Sequence, residues 1–121
     1  MSYTLYISPI EAMQAIKAGG DWEDVENVLL ESAARERLLM RLEKYGYQLA
    51  HERHGVREYE KAFKGQPVRV HVYDTEIAFS ASYWERLNDI LFDLRMEIME
   101  LADSPRLAFY DPQQDEWISG E

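Results

Sequence analysis

Alternation of apolar and polar residues between positions 67 and 82 predicts a β-hairpin. Residues 68–73 alternate valine with Arg, His and Tyr, which is the period-two pattern of a strand with one apolar face. A second alternating run occupies residues 77–82, and Asp74-Thr75 interrupts the pattern between the two runs. The two runs should therefore pair as neighbouring strands across a tight turn.

A helix with one broad apolar face is predicted directly after the hairpin. Residues 82–85, Ser-Tyr-Trp-Glu, have the residue types of a capping box, in which two side chains satisfy free N–H groups at a helix start. Ser104-Pro105 should end the helix near Asp103. The apolar positions recur every three or four residues and should cover the sheet. They are Trp84, Leu87, Ile90, Leu91, Leu94, Ile98, Leu101 and Ala102.

The other side of this helix is predicted to present an acidic ridge beside an apolar strip. The ridge consists of Asp89, Asp93, Glu97 and Glu100, and the strip of Phe92, Met96 and Met99. Like charges at this spacing cost roughly a few tenths of a kcal/mol per pair, so helix stability does not explain the ridge. It is a solvated helix face, an interface with an apolar centre and a polar rim, or the surface of a homodimer.

Two segments before the hairpin have helical signals. Residues 8–11, Ser-Pro-Ile-Glu, have the types of a second capping box with proline at the first helical position, and Gly19-Gly20 should end that helix. Asp21 can cap the next helix. Residues 22–45 form either one continuous helix or two, and Gly46 should end the helical region.

The remaining segments are strand candidates. Residues 3–7 are rich in aromatic and branched side chains, which favours a strand. Residues 47–63 are either strand or loop, with His54-Gly55 as a turn. Residues 106–110 are predicted to form a strand that ends at Asp111-Pro112, because this dipeptide is typical of turns.

These elements predict one α+β domain over residues 1–121. We expect an antiparallel sheet of about four or five strands with the helices packed on one face, in the order β-α-α-β-β-β-α-β. A chain of 121 residues can build one two-layer core. The hydrophobic fraction of 46% argues against disorder, which requires low hydrophobicity together with high net charge.

Composition excludes several classes of protein. The absence of cysteine excludes disulfides, thiolate zinc sites and a cysteine nucleophile. The first residues contain neither a basic region nor a long apolar region, and no later apolar run reaches about 18 residues, so a signal peptide and a membrane span are not expected. The predicted location is the cytoplasm.

The negative charge is concentrated in the second half of the chain. The formal net charge is −10, and residues 1–73 contain 10 basic and 11 acidic side chains, whereas residues 74–121 contain 3 and 12. Binding of nucleic acid by the second half is disfavoured, because phosphate contacts need Lys and Arg. A cationic partner would be attracted instead.

No catalytic or metal-binding pattern is evident. His51 and His54 are three residues apart in a segment predicted to be extended, whereas the helical zinc-protease motif needs a spacing of four. None of the serines predicted at helix boundaries lies in a Gly-x-Ser-x-Gly turn. We therefore expect a protein without catalytic residues, cofactor or metal.

Two short segments resemble a group of small bacterial proteins. Residues 1–6, Met-Ser-Tyr-Thr-Leu-Tyr, and residues 107–113, Leu-Ala-Phe-Tyr-Asp-Pro-Gln, are similar to their N-terminal Ser-Tyr-x-Leu strand and C-terminal Tyr-Asp-Pro-Gln turn. Some proteins of this group resemble immunity proteins encoded near secreted toxins. The resemblance implies a single-domain α+β inhibitor that blocks a toxin by binding it.

The sequence thus predicts an acidic binding protein that neutralises a basic partner, most plausibly a toxin. The predicted partner-binding residues are Asp89, Phe92, Asp93, Met96, Glu97 and Glu100, with a weaker second patch at Asp111, Asp115 and Glu116. The alternatives are a homodimeric domain of another role, or a small ligand-binding domain or enzyme with a pocket between helix and sheet.

Overall fold

A computed structural model describes residues 2–63, 65–82 and 87–119 of the chain. The described residues form seven strands and three α-helices. The strands are β1 (Ser2–Pro9), β2 (Gln48–Arg53), β3 (Val56–Phe63), β4 (Gln66–Val72), β5 (Ile77–Ser82), β6 (Leu107–Asp111) and β7 (Glu116–Ser119). The helices are α1 (Ile10–Lys17), α2 (Ser32–Lys44) and α3 (Leu87–Leu101), and a 3-10 helix spans Trp22–Asp24.

All strands belong to one antiparallel sheet with the order β2-β3-β4-β5-β1-β6-β7. The predicted α+β class and antiparallel sheet are confirmed. The predicted number of four or five strands is too low, and the predicted order of elements lacks two strands, for two reasons. Residues 47–63 form two strands rather than one, and residues 116–119, for which no strand was predicted, pair with β6.

The main core lies between one face of the sheet and helices α2 and α3. The predicted hairpin is confirmed, since β4 pairs with β5 and its three valines are fully buried. The part of the predicted apolar face of α3 that can be assessed is buried too, namely Leu91, Leu94, Ile98, Leu101 and Ala102. Residues 83–86, which include Trp84 and most of the predicted capping box, lie outside the described residues, as do the side chains of Leu87 and Ile90.

The prediction that the helices all pack on one face is wrong for the segment around Trp22. The Trp22 ring contacts Tyr110 and Trp117, whose positions are register partners in β6 and β7. These side chains alternate with Phe109 and Ile118, which face the main core. The Trp22 turn therefore lies on the opposite face of the sheet.

Local signals set most of the element boundaries. The predicted capping box at residues 8–11 is wrong, because β1 continues to Pro9 and Ser8 pairs with Ala108 inside the sheet. Residues 22–45 are resolved as the 3-10 helix and a separate α2, which Gly46 follows with a φ of 96°. His54-Gly55 forms the predicted turn, with positive φ at both residues.

Candidate functional site

The two apolar anchors predicted on α3 are exposed in the fold. Phe92 is 68% exposed and Met96 is 46% exposed. They are four residues apart on one helix, so their side chains lie on the same face, one turn from each other. Single exposed apolar residues are normal on protein surfaces, whereas neighbouring ones form a patch that can mark an interaction site.

The exposed pair borders a groove between α3 and β7. This groove has a volume of about 400 Å³, and its lining includes Phe92, Met96, Met99 and Ile118. A second recess of about 520 Å³ shares the last three of these residues and extends towards Tyr45 on the other side. Together the two recesses form one largely apolar depression, which we call the α3 groove.

The predicted acidic ridge is only partly a solvated surface. Glu97 accepts a hydrogen bond from the Tyr47 hydroxyl at 2.7 Å and forms an ion pair with Lys61 at 2.8 Å, and its side chain is 14% exposed. Burial, followed by the hydrogen bond to Glu97, raises the pKa of Tyr47 well above its ordinary value of 10.0. The expectation of an exposed Glu97 is therefore wrong, because Lys61 of β3 and Tyr47, which directly precedes β2, lie beside it.

The other three carboxylates of the ridge differ from one another. Glu100 is exposed and accepts a hydrogen bond from the Tyr45 hydroxyl at 2.8 Å, and this bond raises the pKa of Tyr45. Asp93 is half-buried and interacts with another group of the chain. The side chain of Asp89 lies outside the described part, so its role stays a prediction.

The predicted second acidic patch is wrong at Asp111, which is fully buried. Its carboxylate accepts hydrogen bonds from the Tyr3 hydroxyl at 3.0 Å and from the backbone N–H of Gln113 at 3.0 Å. The Arg95 guanidinium lies 3.4 Å from the same carboxylate. Asp111 therefore holds the turn after β6 in place instead of facing solvent.

Arg95 joins this buried carboxylate to Glu116, another member of the patch. Its guanidinium contacts Glu116 at 2.9 Å and lies 5.7 Å from the centroid of the Phe109 ring. Asp115 accepts a hydrogen bond from the Tyr110 hydroxyl at 3.0 Å, and burial, followed by this bond, raises the pKa of Tyr110 to about 12. These contacts tie α3 to β6 and β7, and so fix one wall of the α3 groove.

The opposite face of the sheet carries an aromatic cluster that the sequence patterns did not predict. Trp22 lies 5.1 Å from Tyr110 and 5.8 Å from Trp117, measured between ring centroids. Beside it is a recess of about 380 Å³, lined by Tyr6, Ser8, Trp22, Glu76, Tyr110 and Pro112. The available signal was the alternation of Tyr6 and Tyr110 with core residues, which places both rings on the second face.

The histidines do not belong to a cluster of three or more metal-ligating side chains in the described part of the chain. His51 is exposed on β2, and His54 lies in the following turn with a φ of 54°. Within the described residues, no group of three or more His, Asp or Glu side chains could hold a metal ion.

None of the helices described here combines the length and the apolar content needed to cross a membrane.

Comparison of the chain with models of protein families, with curated proteins and with solved structures gave no match in any of the three.

Proposed function

We propose that this protein is a non-enzymatic acidic binding protein that inhibits a basic protein by covering it with the α3 groove. The observation that carries the proposal is the exposed pair of Phe92 and Met96 at the edge of an apolar depression. A toxin in the cytoplasm is the partner that the resemblance to immunity proteins favours.

The apolar pair supports the proposal because binding energy is usually concentrated in a few buried side chains. Aromatic residues that fill a pocket at the centre of an interface dominate affinity, while the polar rim contributes less. Phe92 and Met96 have the chemistry of such a centre, and the apolar lining of the groove extends it.

Fewer acidic residues are exposed around the groove than the sequence predicted. Glu100 and Asp103 are exposed at its border, whereas Glu97 is held by Lys61 and Tyr47. Arg41 also lines the groove, but its guanidinium donates to the carbonyl oxygens of Leu101 and Asp103 at 3.1 and 2.9 Å. Lys44 and Arg95 line the groove as well, so its rim is mixed in charge, and the attraction of a cationic partner rests on the net charge of −10 of the chain.

The test measures binding to a purified basic protein encoded beside this chain. The double variant Phe92→Asp/Met96→Asp should bind about 1,000-fold more weakly, since loss of two central residues typically costs about 2 kcal/mol each. Met40→Asp is the matched control, because Met40 is 71% exposed on α2. Equal loss of binding in both variants, or none in the double variant, would remove the α3 groove from the interface.

A homodimer is the second candidate, because the same exposed pair could be covered by another copy of the chain. Stable homodimers bury apolar surface that resembles a protein core. Light scattering would separate the candidates: a dimer has twice the 14.3 kDa mass of the chain and returns to the monomer in Phe92→Asp/Met96→Asp. A monomeric wild-type protein would exclude this candidate.

A further inference from the structure

The recess beside Trp22 combines aromatic walls with one carboxylate. Tyr6 and Tyr110 are register partners in β1 and β6, and the Trp22 ring lies over Tyr110. Glu76 precedes Ile77, which faces the main core, so its side chain emerges on the aromatic face. The ring faces carry negative electrostatic potential, and a carboxylate beside them adds a full negative charge.

We propose that this recess binds an organic cation, namely the ammonium or guanidinium group of a free amine or of a basic side chain. Its volume of about 380 Å³ is enough for a quaternary ammonium group or the end of an arginine side chain. A cation here would lie beside the aromatic rings and Glu76 at the same time. The site lies on the face opposite the α3 groove and does not depend on the function proposed for that groove.

The environment of Glu76 supports this assignment. None of the described residues that line the recess is lysine or arginine. An adjoining hollow shares Tyr6 and Glu76 with the recess, and among its described lining residues only His71 can become positively charged. That histidine lies 3.6 Å from Glu58 and is stacked on Tyr73. Among the described residues that line these two recesses, the carboxylate of Glu76 thus has aromatic neighbours and no lysine or arginine beside it.

Folding alone does not explain a charged group at this position. Burial of Glu76 raises its pKa, which means that the ionised form is disfavoured in the free protein. Trp22 is 51% exposed, although a tryptophan gains most when it is buried. A bound cation would satisfy the carboxylate and cover the indole ring, so one ligand accounts for both features.

The experiment follows the indole and amide resonances of the full chain by NMR during titration with choline, and in parallel with N-acetyl-arginine amide and N-acetyl-lysine amide. We expect saturable shifts at Trp22 and Glu76 with a Kd on the order of 1 to 10 mM. Tighter binding of choline would identify a small free ammonium compound as the ligand, and tighter binding of either amino-acid amide would identify a basic side chain.

Two variants of the recess, one control variant and one neutral compound make the test decisive. Glu76→Gln should weaken binding about tenfold, and Trp22→Phe about two- to fivefold. Glu60→Gln, which changes an exposed carboxylate on β3, should leave the Kd unchanged. The proposal is overturned if no cation gives saturable shifts at these residues, if the neutral choline analogue 3,3-dimethylbutan-1-ol binds equally well, or if Glu76→Gln behaves like Glu60→Gln.

Discussion

Replacement of Arg95 by methionine should destabilise the fold far more than loss of an ordinary surface ion pair. Arg95 is the cation that faces the fully buried carboxylate of Asp111, at 3.4 Å, and it also contacts Glu116. In Arg95→Met, Asp111 keeps its hydrogen bonds from Tyr3 and Gln113 but has lost this cation. Breaking a buried pair in this way typically costs about 3 to 5 kcal/mol, because an uncompensated charge stays buried.

The control for this prediction is Arg106→Met. Arg106 pairs with Glu31 at 2.9 Å, but the two side chains are 58% and 41% exposed. Solvated pairs of this kind contribute at most about 1 kcal/mol. Urea unfolding at pH 7, followed by circular dichroism, gives both free energies of unfolding.

A second variant identifies the source of the loss. Asp111→Asn in the Arg95→Met background removes the unpaired charge and keeps most of the hydrogen-bonding shape. It should therefore recover roughly half of the lost stability or more, since the buried charge is the main source of the cost. The reasoning is refuted if Arg95→Met costs no more than Arg106→Met, or if Asp111→Asn in this background deepens the loss.

Two further predictions concern pH. Because the pKa of Tyr47 is raised in the fold, this residue contributes stability below its ordinary pKa of 10.0, and the contribution is lost as the pH rises further. The free energy of unfolding should therefore fall less steeply from pH 9 to 11 in Tyr47→Phe than in wild type. Identical slopes in urea unfolding would contradict this. Because burial raises the pKa of Glu76 in the fold, this residue likewise contributes stability below its ordinary pKa of 4.5, and the contribution is lost as the pH rises through the raised pKa. Glu76→Gln should thus have a higher Tm than wild type at pH 7 and an equal Tm at pH 3.5, measured by thermal unfolding, and a lower Tm at pH 7 would contradict this.

Sequence patterns correctly predicted the strands, helices and turns that depend only on residues close to each other in the chain. Alternation in residues 68–73 depends only on the geometry of a strand, and the buried stripe of α3 depends only on helical periodicity. Gly46 and Gly55 were correctly assigned to a helix end and a turn, since both require positive φ. Strand β7 was missed because a four-residue strand gives little alternation to detect.

The candidate site could not be predicted to the same extent, because its charges are paired over long sequence separations. Glu97 is held by Lys61 and Tyr47, which precede it by 36 and 50 residues. Asp111 accepts a hydrogen bond from Tyr3, which is 108 residues away. A helical wheel and an Asp-Pro turn signal contain no information about such partners, so both carboxylates were predicted on a partner-binding surface.

Because several carboxylates are paired within the chain, the net negative charge should affect the association of a partner more than the position of contact. Exposed charges are screened over about 8 Å at physiological salt, so the net charge of −10 acts mainly while a cationic partner approaches. Under the proposed function, the position of contact depends instead on the apolar side chains Phe92 and Met96. If this division holds, an increase in salt should lower the association rate of the complex by about tenfold or more and change the dissociation rate little. Phe92→Asp/Met96→Asp should mainly raise the dissociation rate. Surface plasmon resonance at two salt concentrations measures both rates, and a salt effect confined to dissociation would place buried charge pairs, rather than the apolar pair, at the centre of the interface.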